Sequence, residues 1–208
     1  MAGLHRRTGD PPTPGTVAPV ADERELLVSY LAQQRYQLKL AAYGLTDEQA
    51  RLAPTASTLT IGGLIKHVAT TERHWIRDIV LQETDGRSPD DYLANFRMSE
   101  TETLADLIGL LDAVAADTES VVAAIPDLGQ AVPVPHGVPW FPADVDAWSV
   151  RWVLQHLIAE TARHTGHADI VRESIDGATA YPLMAAVEQW PPNDFLQPWE
   201  PAQRMPTR

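Results

Sequence analysis

The chain has 208 residues, of which 16 are basic and 28 are acidic, giving a net charge of −12 at neutral pH. A surface this acidic repels a phosphate backbone, and no stripe of lysine and arginine offsets it, which argues against nucleic-acid binding. The absence of cysteine excludes a disulfide framework, a protein thiolate nucleophile and a metal site that uses protein sulfur.

Residues 1–21 are rich in proline, glycine and threonine and lack hydrophobic periodicity, so they are predicted to form a flexible arm. Their arginines are not followed by the continuous apolar stretch of a signal peptide. No apolar run in the chain approaches the roughly 18 residues that cross a bilayer. We therefore expect a cytoplasmic protein that has no membrane association.

The first helix is predicted from Asp22, after which apolar residues recur at three- and four-residue steps, to Gly44, which suits a helix end. The second helix is predicted to begin near Thr58 or Thr60, because either residue can serve as N-cap. Its apolar periodicity continues to about Leu81.

Two glycines, Gly62 and Gly63, stand near the start of the second helix, where they cost helix propensity and indicate close packing. The third helix is predicted from about Ser99, with Glu102 completing a capping-box pattern, to near Ile125. The fourth is predicted from its N-cap Ser149 to Gly177, a residue type that commonly follows a helix.

The connection between the third and fourth helices, residues 126–147, has little room for regular structure because it contains five prolines. Long connections of this kind are often functional. Three residues in it, His136, Trp140 and Phe141, are candidate pocket residues. The alternative is that the segment only closes one end of the helices.

Four helices, one long connection and no strand pattern predict an all-α fold, a four-helix bundle. The predicted bundle spans residues 22–177, and a proline-rich extension follows at 178–208. Trp190 and Trp199 indicate that part of this extension packs on the bundle.

The candidate chemistry lies on the fourth helix, where His156, Glu160, His164 and His167 follow one another at steps of four, four and three residues. These steps place all four side chains on one stripe that borders the apolar core. Polar groups in that position are costly unless something satisfies them, and a divalent cation would do so. Two donors four residues apart can reach one ion, and His67 in the second helix is the candidate third ligand.

The ordinary alternative is that a histidine in the middle of a helix is a hydrogen-bonded core residue. His156 and His167 can also be hydrogen-bond partners of the ligands or surface residues. Three tryptophans near these positions, Trp75, Trp148 and Trp152, are interpreted as core or interhelix packing.

The stretches LTIGGLIKHVATTERHW and WSVRWVLQHLIAETARHTGHADIVRESIDG resemble the DinB-like metalloenzyme superfamily, and particularly its actinobacterial branch. The similarity extends over about residues 22–177. The resemblance implies a DinB-type four-helix bundle that binds one metal ion through His67, Glu160 and His164. Many relatives carry histidine at the position of Glu160, and His167 is an alternative ligand. The glutamate version resembles mycothiol-dependent maleylpyruvate isomerase.

The resemblance further implies a divalent ion such as zinc, nickel, manganese or iron, and a low-molecular-weight thiol as cosubstrate. The implied activity is that of a thiol-dependent S-transferase or isomerase acting on a small electrophile, and pairing into a homodimer is plausible in the family. Two alternatives stay open. One is a metal-binding protein without turnover, and the other is a metal-dependent hydrolase. His156 and His167 are the candidate catalytic residues, as general bases in the hydrolase.

Overall fold

The computed structural model describes residues 15–83, 94–139, 141–142 and 144–201. The described part is mostly helical, which confirms the predicted all-α class. Its helices are α1 (Glu23–Ala42), α2 (Asp47–Ala50), α3 (Ile61–Arg73), α4 (Leu104–Ala124), α5 (Val150–Asp176) and α6 (Ala180–Val187). A π-helical segment, His74–Val80, continues α3. Two short antiparallel strands, β1 (Ala131–Pro133) and β2 (Ala147–Ser149), pair at the ends of the long connection.

Side-chain caps fix where the long helices begin. Asp22, Thr60, Thr103 and Ser149 each accept a hydrogen bond from the backbone N–H three residues further on. Each bond satisfies one of the donors that a helix N-terminus leaves without a partner. At its other end α5 stops at Gly177, whose φ of 78° is the left-handed conformation that glycine adopts without strain.

The third predicted helix begins later than expected. Glu102 does bind the backbone N–H of Ser99 through Oε2 at 2.7 Å, but this bond closes a turn and no helix follows directly. The helix starts at Leu104, where Thr103 and Asp106 form a capping box. Two capping patterns stand close together in the sequence, and the second one is followed by the buried leucines.

Three further features of the described residues depart from the sequence prediction. The second predicted helix changes to π-helical geometry at His74, β1 and β2 were not expected, and α6 forms in the extension. Strand pairing is non-local, since it joins Val132 to Trp148. The short α6 tolerates Pro182 because the residue lies in the first helical turn, where no internal N–H bond is lost.

The four long helices bury their apolar faces against one another. In the described structure α1 packs on α5, α5 on α3, α3 on α4 and α4 on α1. One apolar cluster includes Leu38, Leu64 and Leu111, and a second includes Leu31, Trp75 and Leu157. Helix α1 also contacts α3. The four-helix bundle and its DinB-type detail stay predictions. None of the described helices is long and apolar enough to span a membrane.

A buried ion pair links α1 to α3. Two of the three guanidinium nitrogens of Arg35, Nε and Nη2, donate to the carboxylate of Glu72 at 2.9 and 2.7 Å, and Thr118 of α4 donates to the same carboxylate at 2.6 Å. Every oxygen of Glu72 therefore has a charged or hydroxyl partner, which is the condition for a charge to be tolerated in a core.

The extension contacts the ends of α1 and α5 through Trp199. Its indole lies 4.9 Å from the guanidinium of the fully buried Arg172 and edge-on to Tyr43. Arg172 in turn donates to the carbonyls of Ala41 and Tyr43, at 2.9 and 2.7 Å. The arginine thus satisfies carbonyls at the end of α1, and the indole covers it. The domain boundaries themselves stay predictions.

Candidate metal centre

The structure brings His67, Glu160 and His164 together between α3 and α5. One potential ligand atom from each lies within 4.8 Å of the other two. The Oε1 atom of Glu160 is 3.0 Å from Nε2 of His164 and 3.6 Å from Nε2 of His67. Donors arranged tetrahedrally around one ion at ordinary zinc–nitrogen distances are separated by about 3.3 Å. The group could therefore hold a metal ion.

The cluster is buried except at its carboxylate. The exposed fractions of the side chains are 1% for His67, 11% for His164 and 27% for Glu160. The buried Nδ1 atom of His164 has no hydrogen-bond partner among the described residues. The other ring nitrogen of His164, Nε2, is the one that faces Glu160 and is available as a ligand atom.

The charges of the cluster also suit a cation. Hydrogen bonds from His164 and His67 hold the pKa of Glu160 well below its usual range, so the carboxylate is ionised at neutral pH. Burial lowers the pKa of His67, although the hydrogen bond to Glu160 acts in the opposite direction. An ionised carboxylate and a neutral imidazole are the protonation states in which these side chains bind metals.

Phe96 covers the cluster on the side of His67. Its ring stacks on the imidazole with centroids 3.7 Å apart and an angle of 18° between the planes. The approach depends on Gly63, one turn before His67, because a Cβ atom there would lie 2.0 Å from the carbonyl oxygen of Phe96. Gly62 makes similar room for Met98. The close packing predicted from the two glycines is therefore confirmed.

A run of aromatic side chains borders the other side of the cluster. Trp148 of β2 stacks on Trp152 near the start of α5, and Trp152 stacks on His156 one turn further along the helix. Trp75 of the π-helical segment lies against His156 at 4.5 Å. Trp75 is buried, and Trp152 is 39% exposed but contacts Trp75 of the neighbouring segment, so both agree with the predicted core or interhelix packing.

The remaining predicted site residues lie outside the three-residue group. The rings of His167 and His164 are 5.6 Å apart, and Nδ1 of His167 is buried with no hydrogen-bond partner among the described residues. His156 is half-buried, and burial lowers its pKa. Their catalytic roles stay predictions.

Of the three candidate pocket residues in the long connection, Phe141 contacts Trp75 and Trp148 and so joins the aromatic run. His136 is exposed. Trp140 lies outside the described residues. Sequence reasoning did not predict a role for Phe96, and the signal that could have indicated it is the glycine pair, which requires a close neighbour.

Two cavities lie elsewhere. A groove of about 580 Å³ is lined by residues of α1, α2 and α4 that include Tyr43 and Ile108, and a cavity of about 160 Å³ lies beside Asp169. Neither is lined by a residue of the His/Glu/His cluster. The candidate site is therefore identified by its potential metal ligands and not by the volume of a cavity.

Fold and site together define a helical protein with a His/Glu/His group that could hold a metal ion. The family model described as mycothiol-S-transferase matches residues 26–177, and the chain belongs to this family. The family is a member of the DinB-like superfamily, so the resemblance noted in the sequence is confirmed.

A solved structure of a conserved protein from Enterococcus faecalis has a similar fold. The TM-score is 0.53, with 17% sequence identity over 76% of this chain and 100% of that one. At this identity the likeness concerns the fold alone. No curated protein matches the chain in sequence.

Proposed function

We propose that the protein is a metal-dependent enzyme that transfers a low-molecular-weight thiol of the mycothiol type to a small electrophile, or isomerises an electrophile with that thiol. The observation that carries the proposal is the His67–Glu160–His164 cluster in a chain of the mycothiol-S-transferase family. We assign these three side chains as the ligands of one divalent ion. Two imidazoles and a carboxylate suit zinc, nickel, manganese or iron.

A bound divalent ion supplies one piece of chemistry, since it lowers the pKa of a coordinated thiol and makes the thiolate available near neutral pH. The side chains of the cluster hold the ion and neutralise part of its charge. Glu160 is held by two imidazoles and brings the negative charge that neutralises part of the cation. Three protein ligands leave a position open for the thiol, as in catalytic sites.

Two other features of the chain agree with this scheme. Phe96 keeps water from the His67 side of the cluster, so that the partly exposed Glu160 marks the side from which ligands arrive. The sequence has no cysteine, so the sulfur nucleophile must come from a cosubstrate.

A cytoplasmic location fits the proposal because that compartment keeps small thiols reduced. Homodimer formation stays a prediction from the family.

The test is thiol dependence. The metal-loaded protein is incubated with an electrophile such as monobromobimane and with mycothiol, glutathione or no thiol, and the thioether product is quantified. We expect product formation that needs a thiol and falls about 100-fold or more in Glu160→Gln, because the site loses the charge that holds the ion. Glu25→Gln, which makes the same change at an exposed residue of α1 outside the cluster, is the control.

Two results would overturn the proposal. Turnover of an ester or amide substrate without any thiol would indicate a hydrolase. Stable metal binding with no turnover of any thiol and electrophile pair would indicate a protein that binds metal without catalysis.

A further inference from the structure

Aromatic side chains from β2, the first turns of α5, the π-helical segment and the long connection contact one another beside the cluster. Trp148 and Trp152 are stacked with centroids 4.6 Å apart and planes within 2° of each other. Trp152 and His156 are stacked at 5.2 Å and 4°. Trp152 and His156 are one helical turn apart on α5, and Trp148 precedes the helix in β2, so the three rings form one stacked series. We call these three residues, with Trp75 and Phe141, the aromatic face.

The aromatic face leads directly into the candidate metal centre. His156 is one turn before Glu160 on the same helix, and Glu160 is one turn before His164. Trp75, two turns after His67 along the opposite helix, contacts both His156 and Trp152, with ring centroids 4.5 and 5.9 Å apart. The face and the cluster therefore share the groove between α3 and α5.

The two sides of the cluster differ in access. On one side Phe96 stacks directly on His67, which is 1% exposed. On the side of the aromatic face, Glu160 is 27% exposed and Trp152 is 39% exposed. Glu160 and Trp152, which lie two helical turns apart on α5, thus both have surface that a ligand can contact.

The side chains of the aromatic face determine which ligands can bind there. It offers apolar ring surface and edges and no charged side chain of its own apart from the imidazole of His156. Aromatic rings gain from edge-to-face and offset-stacked contacts beyond the burial of area alone. The partly exposed ring of Trp152 can make such contacts without any rearrangement of the core.

We propose that the aromatic face is the binding subsite for the electrophile, and that the electrophile carries an aromatic ring. The inference rests on the proposed function, because it concerns the second substrate of the same site. In this arrangement the thiol binds beside the three proposed metal ligands, and the ring of the electrophile lies against Trp152 and His156.

Binding of two unreactive analogues tests the proposal. N-phenylsuccinimide and N-cyclohexylsuccinimide carry the same polar ring and differ in whether the second ring is aromatic or saturated. Their dissociation constants are measured by calorimetry with the full chain, both metal-loaded and chelator-treated, without any thiol. We expect the phenyl compound to bind more tightly and its dissociation constant to rise about two- to tenfold in Trp152→Leu, since a contact between aromatic rings is lost. Trp152→Phe should retain most of the affinity.

Phe195→Leu is the matched control, because it removes a 98% exposed aromatic ring outside the aromatic face. Equal affinity for the two analogues, or no effect of Trp152→Leu, would overturn the proposal even if thiol transfer is observed with a small aliphatic electrophile. Conversely, phenyl-selective binding that depends on Trp152 and persists in the chelator-treated protein would support the subsite even if no thiol transfer occurs. The failure of the subsite and the failure of the proposed function are thus separate outcomes.

Discussion

Two carboxylates on neighbouring helices, the buried Glu72 and the partly exposed Glu160, have very different partners. Glu72 is paired with a guanidinium that remains charged at any accessible pH, and a hydroxyl completes its hydrogen bonds. The ion-pair partners of Glu160 among the described residues are the imidazoles of His164 and His67, and burial lowers the pKa of His67. The negative charge of Glu72 is therefore balanced within the protein, while that of Glu160 is not fully balanced. This difference is the reason for assigning a structural role to the first and a metal-binding role to the second.

We predict that Glu72→Gln lowers the free energy of unfolding by about 3–5 kcal/mol, because it leaves the guanidinium of Arg35 buried without its main counter-charge. Urea denaturation followed by circular dichroism measures the change. Glu23→Gln is the control, since the Glu23–Arg151 pair is solvent-exposed and pairs of this kind contribute less than about 1 kcal/mol. Similar losses in the two variants would contradict the structural role of Glu72.

At the scale of the elements, the start of α3 determines how the cluster is covered. Gly63 allows the backbone of Phe96 to approach the helix, and Phe96 then stacks on His67 one turn later. Neither the caps nor the hydrophobic pattern of α3 contains this information. It depends on a segment about 30 residues away in sequence.

We predict that Gly63→Ala destabilises the protein by about 1–3 kcal/mol and weakens metal binding, because the new methyl group displaces the segment around Phe96. Thermal unfolding and a competitive metal titration measure the two effects. The matched control is Gly109→Ala in the exposed middle of α4, where the added Cβ has no neighbour within 4 Å. That substitution should stabilise the chain by about 0.5–1 kcal/mol through helix propensity. A Gly63→Ala protein as stable as the wild type would show that Phe96 is not held as described.

The elements differ in how far the sequence predicts them. The helix starts at Thr60 and Ser149 and the end at Gly177 were predictable because capping is local chemistry within a few residues. The beginning of α4 was not, because two capping patterns compete and tertiary packing decides between them. The π-helical turn after Arg73 and the strand pair have no local signature of their own in this chain.

In the candidate site, too, some features follow from local sequence and others depend on tertiary packing. Spacing alone placed Glu160 and His164 on one stripe of α5, since the helical period is fixed. Spacing could not place His67 opposite them, because that depends on how α3 packs on α5. The cover by Phe96 and the exposure of Trp152 likewise depend on tertiary packing. The ligand roles themselves stay a prediction.

At the scale of the whole molecule, the surplus of acidic groups affects how stability depends on pH. Asp169 lines the cavity where the segment at Gly15 meets α1, α5 and α6. Burial, together with the negative charge of Glu173, raises the pKa of Asp169 to about 6. The folded protein therefore binds this proton at a higher pH than the unfolded chain, whose aspartate pKa is about 3.9. As pH rises from about 4 to about 6, ionisation of Asp169 costs stability.

We predict that Asp169→Asn raises the free energy of unfolding by about 1–3 kcal/mol at pH 7.5, because the buried charge is removed. Most of this gain should be lost at pH 4.5, where the carboxyl of the folded wild-type protein is already protonated. Urea denaturation at the two pH values measures it. The exposed Asp194→Asn controls for the removal of one negative charge from the chain. A gain that is independent of pH would show that Asp169 is not the group responsible.

The central claim is that His67, Glu160 and His164 bind one divalent metal ion, and elemental analysis of protein purified without a metal-chelating tag tests it most directly. Wild type should carry about one ion per chain, and His67→Ala, Glu160→Ala and His164→Ala should each lose it while retaining helical circular dichroism. His167→Ala should keep the ion, because His167 lies outside the three-residue group. A wild-type protein that carries no metal and takes up none on titration would contradict the account, and so would retention of the ion after loss of Glu160.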